Sequence, residues 1–218
     1  MTTTEKVVAL MRRLKIEMNG AVTDAMREYG GGTQGYGLNY GVSLPTVKDV
    51  AREYAPDHEL AQALWRQDVR ELKLAALFID DPSRVAAGQM EAWADDWRTP
   101  ELAEQCAMQL FWKSPEAGKQ AAEWAGLPSG EAALKRLAAF YMFGRFAAAV
   151  ETVSDSELSG WLDDARIFGP TAAERSVVYA LREIYRHRPA FRMRVTALLD
   201  RVPDEVAGEV RWQVEYLK

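Results

Sequence analysis

Few side chains in this chain can do chemistry, and their types narrow the choice early. There is one cysteine, Cys106, so neither an internal disulfide nor a multi-cysteine zinc site can form. No histidine stands near it in sequence, and a thiol without a base beside it reads as a buried, inert side chain. The two histidines are too sparse for a metal cluster: His58 follows Asp57 at a helix start, and His187 stands between Arg186 and Arg188. What the sequence does offer is phosphate binding. Arg175, Arg182, Arg186, Arg188, Arg192, Arg194 and Arg201 fall in one stretch, opposed there only by Glu183 and Asp200. From Asp80 to Glu131 acidic residues outnumber basic ones ten to four. The net charge of −5 therefore conceals one acidic and one arginine-rich flank, which read either as a basic binding surface or as ordinary solvated helix faces. The glycine-rich run Gly30 to Gly37 lacks the Gly-Lys-Ser/Thr ending of a phosphate loop and follows no strand, so it reads as a flexible connection.

These residues have to be positioned by helices. All nine prolines fall between apolar-periodic segments, and several adjoin good caps, as in Asp81-Pro82, Thr99-Pro100-Glu101 and Ser114-Pro115-Glu116. Between them the apolar residues recur at helical spacing: Leu72, Ala75, Ala76 and Ile79; Leu134, Leu137, Ala138 and Tyr141; Val177, Ala180, Leu181 and Ile184. No alternating strand or Asn-Gly hairpin occurs, so the expected fold is all-α. Three helical segments also resemble one another and bring Lys73, Arg136 and Arg175 into register. Such a repeat implies HEAT-like helical repeats stacked into a curved α-α superhelix, with a non-repetitive bundle as the alternative. The 218 residues read as one repeat domain: N-terminal helices and the glycine-rich loop over 1–38, the array over 39–202, and a C-terminal capping helix over 203–218. With 48% apolar and 27% charged residues, no long apolar run and no signal-like start, a cytoplasmic protein without membrane association is expected.

Several motifs resemble one family. Asn39-Tyr40-Gly41-Val42-Ser43-Leu44-Pro45-Thr46-Val47-Lys48 looks like the Gly-Val-x-x-Pro-x-φ-Arg/Lys entry of the DNA alkylation repair proteins, the HEAT-like alkylpurine DNA glycosylases. Leu64-Trp65 followed by Arg70-Glu71-Leu72-Lys73-Leu74-Ala75-Ala76 resembles their φ-Trp…Arg-Glu-x-x-x-Ala-Ala repeat. Tyr179-Ala180-Leu181-Arg182-Glu183-Ile184 resembles their late Trp-x-Leu-Arg-Glu-φ helix. The resemblance implies hydrolysis of the glycosidic bond of cationic N3- or N7-alkylpurines in DNA. A cationic base is already a good leaving group, so a carboxylate near the sugar and a few aromatic faces suffice.

Carried over by residue, the resemblance maps the catalytic carboxylate of a Trp-Asp-x-x-Asp centre onto Glu104, and its tryptophan onto Pro100. It keeps Arg136 and, as the late aromatic, Tyr179, while Trp97 could supply a ring from one turn earlier. The missing tryptophan and the longer acid depart from the family centre by more than the ~0.5 Å tolerance of a catalytic constellation. Duplex DNA is the expected partner, held at its backbone by Lys73, Arg175, Arg182 and Arg186. No cofactor and a monomer are expected. The alternative function is a non-catalytic HEAT-repeat scaffold that binds a protein or a nucleic acid.

Overall fold

Hydroxyl and carboxylate caps set the helix starts. Thr2 and Ser154 each form a reciprocal capping box, with Glu5 and Glu157. The side chains of Ser43, Asp57 and Thr99 accept the first free amides of their helices, and Pro45 and Pro100 occupy first-turn positions that need no amide hydrogen. The computed structural model describes residues 1–29, 36–130, 132–149 and 153–215. Thirteen α-helices form among them: α1 (Thr3–Ile16), α2 (Gly20–Tyr29), α3 (Leu44–Arg52), α4 (His58–Trp65), α5 (Arg70–Ile79), α6 (Ala87–Asp95), α7 (Pro100–Gln105), α8 (Ala117–Ala125), α9 (Ala133–Ala148), α10 (Asp155–Asp163), α11 (Arg175–His187), α12 (Arg192–Leu198) and α13 (Asp204–Glu215). The only β pairing among the described residues is an isolated bridge between Leu38 and Val69. The fold is all-α, as the periodicity predicts. No helix is long and apolar enough to cross a membrane among the described residues. The glycine run over 30–35, and residues 216–218 of the expected capping helix, lie outside the described residues.

The chain divides into two compact units, Met1–Leu110 and Phe111–Lys218. In the first, α5 is the central element, buried along almost its whole length and packed by α3 and α4. Three of its buried residues are charged: Arg70, Glu71 and Lys73. Glu71 accepts the backbone amides of Tyr40 (3.0 Å) and Val42 (3.2 Å), and Arg70 donates to Glu71, to the Val42 carbonyl and to both carboxylate oxygens of Glu101. The loop before α3 and the start of α7 are thereby tied to one helix. Gly41 makes that loop possible: its φ of +69° is in the left-handed region, and a Cβ there would overlap the Asn19 carbonyl.

In the second unit α9 is central, packed by α8 and α11, while α11 also packs against α12 and α13. Phe140, Phe143, Phe146, Trp161 and Phe168 form a continuous aromatic core around α9. At Gly144 of α9 the Tyr179 ring of α11 comes so near that a Cβ would overlap it and lie within 2.6 Å of its Cδ1.

That contact predicts an inverted helix-propensity effect. Gly144→Ala should destabilise the protein by ~1–3 kcal/mol in urea denaturation, although alanine is the better helix former. In a Tyr179→Ala background the same change should be neutral or stabilising, because the ring it would strike is gone.

Candidate nucleic-acid interface

On α11, Arg175, Tyr179, Arg182 and Arg186 recur at intervals of four, three and four, which places them on one helix face. The apolar residues Val177, Ala180, Leu181 and Ile184 occupy the opposite, buried face. Arg175 and Arg186 are exposed, and Tyr179 and Arg182 are half-buried. The helix therefore carries a basic stripe interrupted by one ring.

The stripe continues sideways onto α9. The Arg182 guanidinium lies 5.2 Å from the centre of the Tyr179 ring, the positive charge of Arg145 acts on the Tyr179 hydroxyl, and the Arg145 guanidinium lies 4.5 Å from the Trp112 ring. Tyr141 sits 5.3 Å from Tyr179 on the same surface. The result is a ladder of alternating rings and guanidiniums: Trp112, Arg145, Tyr179, Arg182. Burial and the Glu183 carboxylate push the Tyr179 hydroxyl above its ordinary pKa, so it remains protonated. Nε of Arg145 is buried without a hydrogen-bond partner among the described residues. Arg182 is steadied from behind by Glu183 (2.8 Å) and by Gln213 of α13 (3.2 Å). Guanidiniums fixed at their stems, between aromatic faces, suit an anionic backbone that carries flat bases.

Tyr179, Arg182, Arg175 and Arg186 thus share one helix face, whereas Lys73, Arg136 and Trp97, expected beside them, do not join it. Arg145, Trp112 and Tyr141 were not foreseen there. The available signal was Gly144 inside an otherwise helical run, which marks a close approach and so points to its neighbour Arg145.

The other predicted residues have different surroundings. Arg136 is fully buried; its guanidinium donates to Glu174 (2.5 Å) and to the carbonyls of Ala125, Leu127 and Thr171. Lys73 is also buried, with Nζ 2.7 Å from the Trp65 carbonyl and 4.6 Å from the centre of the Trp65 ring. Burial lowers its pKa. Both cations cap the C-terminal carbonyls of the helix before their own, α8 for Arg136 and α4 for Lys73, where unpaired carbonyls and the helix dipole favour positive charge. The repeat register that aligned them is therefore a structural one, and neither is presented to solvent. Trp97 is buried against Cys106, whose thiol is pushed far up by burial and is inert. Glu104 is half-exposed on α7, separated by one residue from Cys106–Leu110, which winds as a π-helix. The arginine-rich stretch also divides: Arg188 is buried on the carbonyls of Phe146, Ala147 and Val153 and on Asp155, and Arg194 is held by Ser159 and Asp163.

Comparison with known proteins adds three findings. The model of the DNA alkylation repair enzyme family matches residues 10–192. No curated protein sequence matches the chain. A solved structure, described as from a new family of proteins related to the HEAT-like repeat DNA glycosylases with affinity for branched DNA structures, superposes with a TM-score of 0.72. It is 17% identical and covers 93% of this chain and 82% of its own, a likeness that establishes the HEAT-like fold.

The two classes of arginine should separate by stability. Arg136→Ala leaves the Glu174 carboxylate buried without its partner and should cost ~3–5 kcal/mol. Arg175→Ala, on the exposed stripe, should fall within ~0.5 kcal/mol of the parent. Thermal denaturation of both variants checks the assignment, and equal losses would refute it.

Proposed function

The chain belongs to the DNA alkylation repair enzyme family, and from that premise we propose that it binds DNA through the α9–α11 face of its second unit. The observation that carries this reading is the Trp112, Arg145, Tyr179, Arg182 ladder, continued by Arg175 and Arg186 along α11. The guanidiniums supply the phosphate contacts, and counterion release makes such contacts strongly salt-dependent. The rings add a sequence-tolerant component. The affinity for branched DNA described for the structurally similar protein supports a preference for junctions over plain duplex, since a branch presents phosphates from two arms to one stripe.

A second reading is excision of cationic alkylpurines, with Glu104 as the carboxylate that stabilises the oxocarbenium-like sugar and positions water. One observation favours it: the half-exposed carboxylate is separated by one residue from a π-helical turn, a distortion that is frequent at functional sites. A neutral base, as the poorer leaving group, should not be removed.

Two measurements test these readings. Anisotropy titrations with a labelled junction should give a log–log salt slope of about −3.5, set by the four guanidiniums of the stripe and ladder. Arg182→Ala combined with Arg186→Ala should weaken binding and make the slope shallower by about two. Salt-insensitive binding would refute the proposal. For excision, release of 7-methylguanine from methylated duplex should be lost in Glu104→Gln at unchanged thermal stability; undiminished release would remove Glu104 from the mechanism.

A further inference from the structure

A second feature of the same unit lies beside this stripe. Helices α11, α12 and α13 enclose an open groove of about 530 Å³ walled by Tyr185, Leu199, Trp212 and Val214. Thr196 and Arg211 add polar groups, and Glu215 is the one carboxylate among the lining residues. Trp212 is 60% exposed. Exposed aromatic area of this size on a surface helix marks an interaction surface.

We propose that this groove receives an unpaired nucleobase of a DNA strand whose backbone runs along the α11 stripe. Three observations select this occupant over an apolar protein segment. The groove holds two aromatic rings from different helices, Tyr185 and Trp212, which is the composition of a stacking platform. Cations flank the rings: the Arg192 guanidinium lies 5.1 Å from the centre of the Tyr185 ring, and among the described residues Arg211 forms an exposed pair with Asp200 at 3.3 Å. Such a pair is weak enough to yield to a phosphate. The groove also adjoins the stripe, because Tyr185 lies three residues from Arg182 on α11, where side chains are surface neighbours, and Arg182 hydrogen-bonds Gln213, which precedes Val214 of the groove wall. The proposal rests on the DNA-binding reading above and deepens it: a strand with a base free to leave the stack, as at a branch or a single-stranded arm, gains a contact that a fully paired duplex cannot make.

The test compares three probes with the full chain at one low salt concentration: a paired duplex, the same duplex with a single-stranded arm, and an oligothymidylate. Trp212→Ala should lose about tenfold in affinity for the armed duplex and the oligothymidylate, the size of one base–aromatic stack, while duplex affinity stays within about twofold. Trp212→Phe should restore most of the loss, which a change in the groove's overall shape alone would not do. Arg145→Ala should weaken all three probes. If the duplex binds and Trp212→Ala has no effect on either probe with unpaired bases, the groove proposal falls and the stripe stands. If the oligothymidylate binds in a Trp212-dependent way and the duplex does not bind, the groove stands and the duplex reading falls. Binding of no probe overturns both. A concentration-dependent dimer abolished by Trp212→Ala would instead show that the groove is covered by a second copy of the chain, and would overturn the proposal.

Discussion

A guanidinium removed from water must be met by acceptors on nearly every side, and this requirement organises both units of the chain. Arg70, Arg136 and Arg188 are each at least nine-tenths buried. Each gathers carboxylate and carbonyl acceptors, nearly all from segments distant in sequence: Glu101 and Val42, with the adjacent Glu71, for the first, Glu174, Ala125, Leu127 and Thr171 for the second, Asp155, Phe146, Ala147 and Val153 for the third. Arg136 and Arg188 collect the last carbonyls of α8 and α9, which helix geometry leaves unpaired. Removing such a group would strand several acceptors together, so its cost exceeds that of any one hydrogen bond. Lys73 performs the same service for α4 with one carbonyl contact, the Asp96 carboxylate at 3.7 Å and a ring. Stacked helices bury their ends against neighbours, and a long cation from the next helix is one of the few groups able to satisfy those ends without water.

This explains why some signals in the sequence were legible and others misleading. Helix existence and order could be read because caps, prolines and apolar spacing are local, and local chemistry agrees with the fold throughout. The alignment of Lys73 with Arg136 was also a true signal, since both cations end the helix before their own. Its meaning was not legible. A cation at a fixed position in a repeat looks the same in one dimension whether it faces a phosphate or a buried carbonyl, and only burial distinguishes the two. The Gly41-Val42 and Arg70-Glu71 motifs behave likewise: they are joined through the Glu71 carboxylate, which holds the loop before α3, and they report on fold rather than on ligand.

The candidate interface was half legible for a related reason. Arg175, Tyr179, Arg182 and Arg186 lie on one helix, so their common face follows from spacing alone. Arg145 and Trp112 come from other elements, and nothing local relates them to Tyr179. The link is Gly144, which exchanges helix propensity for the close approach of a ring. Charge composition could not separate the arginines either: within one arginine-rich stretch Arg186 faces solvent on α11, while Arg188, past the helix end at its C-cap, reaches the Phe146 and Ala147 carbonyls.

That division bears on how such a surface can change. In the proposed interface Arg182 is already held by Glu183, Gln213 and the Tyr179 ring, so ordering it on an arriving strand would cost little entropy. The same supports tie the face to the core through the α9–α11 contact. Substitutions at Arg175 or Arg186 can retune phosphate contacts with little structural consequence, whereas changes at Tyr179 or Gly144 alter the ladder and the helix packing together. Change in binding preference is therefore easiest at the exposed ends of the stripe, and its aromatic centre stays constrained by the fold.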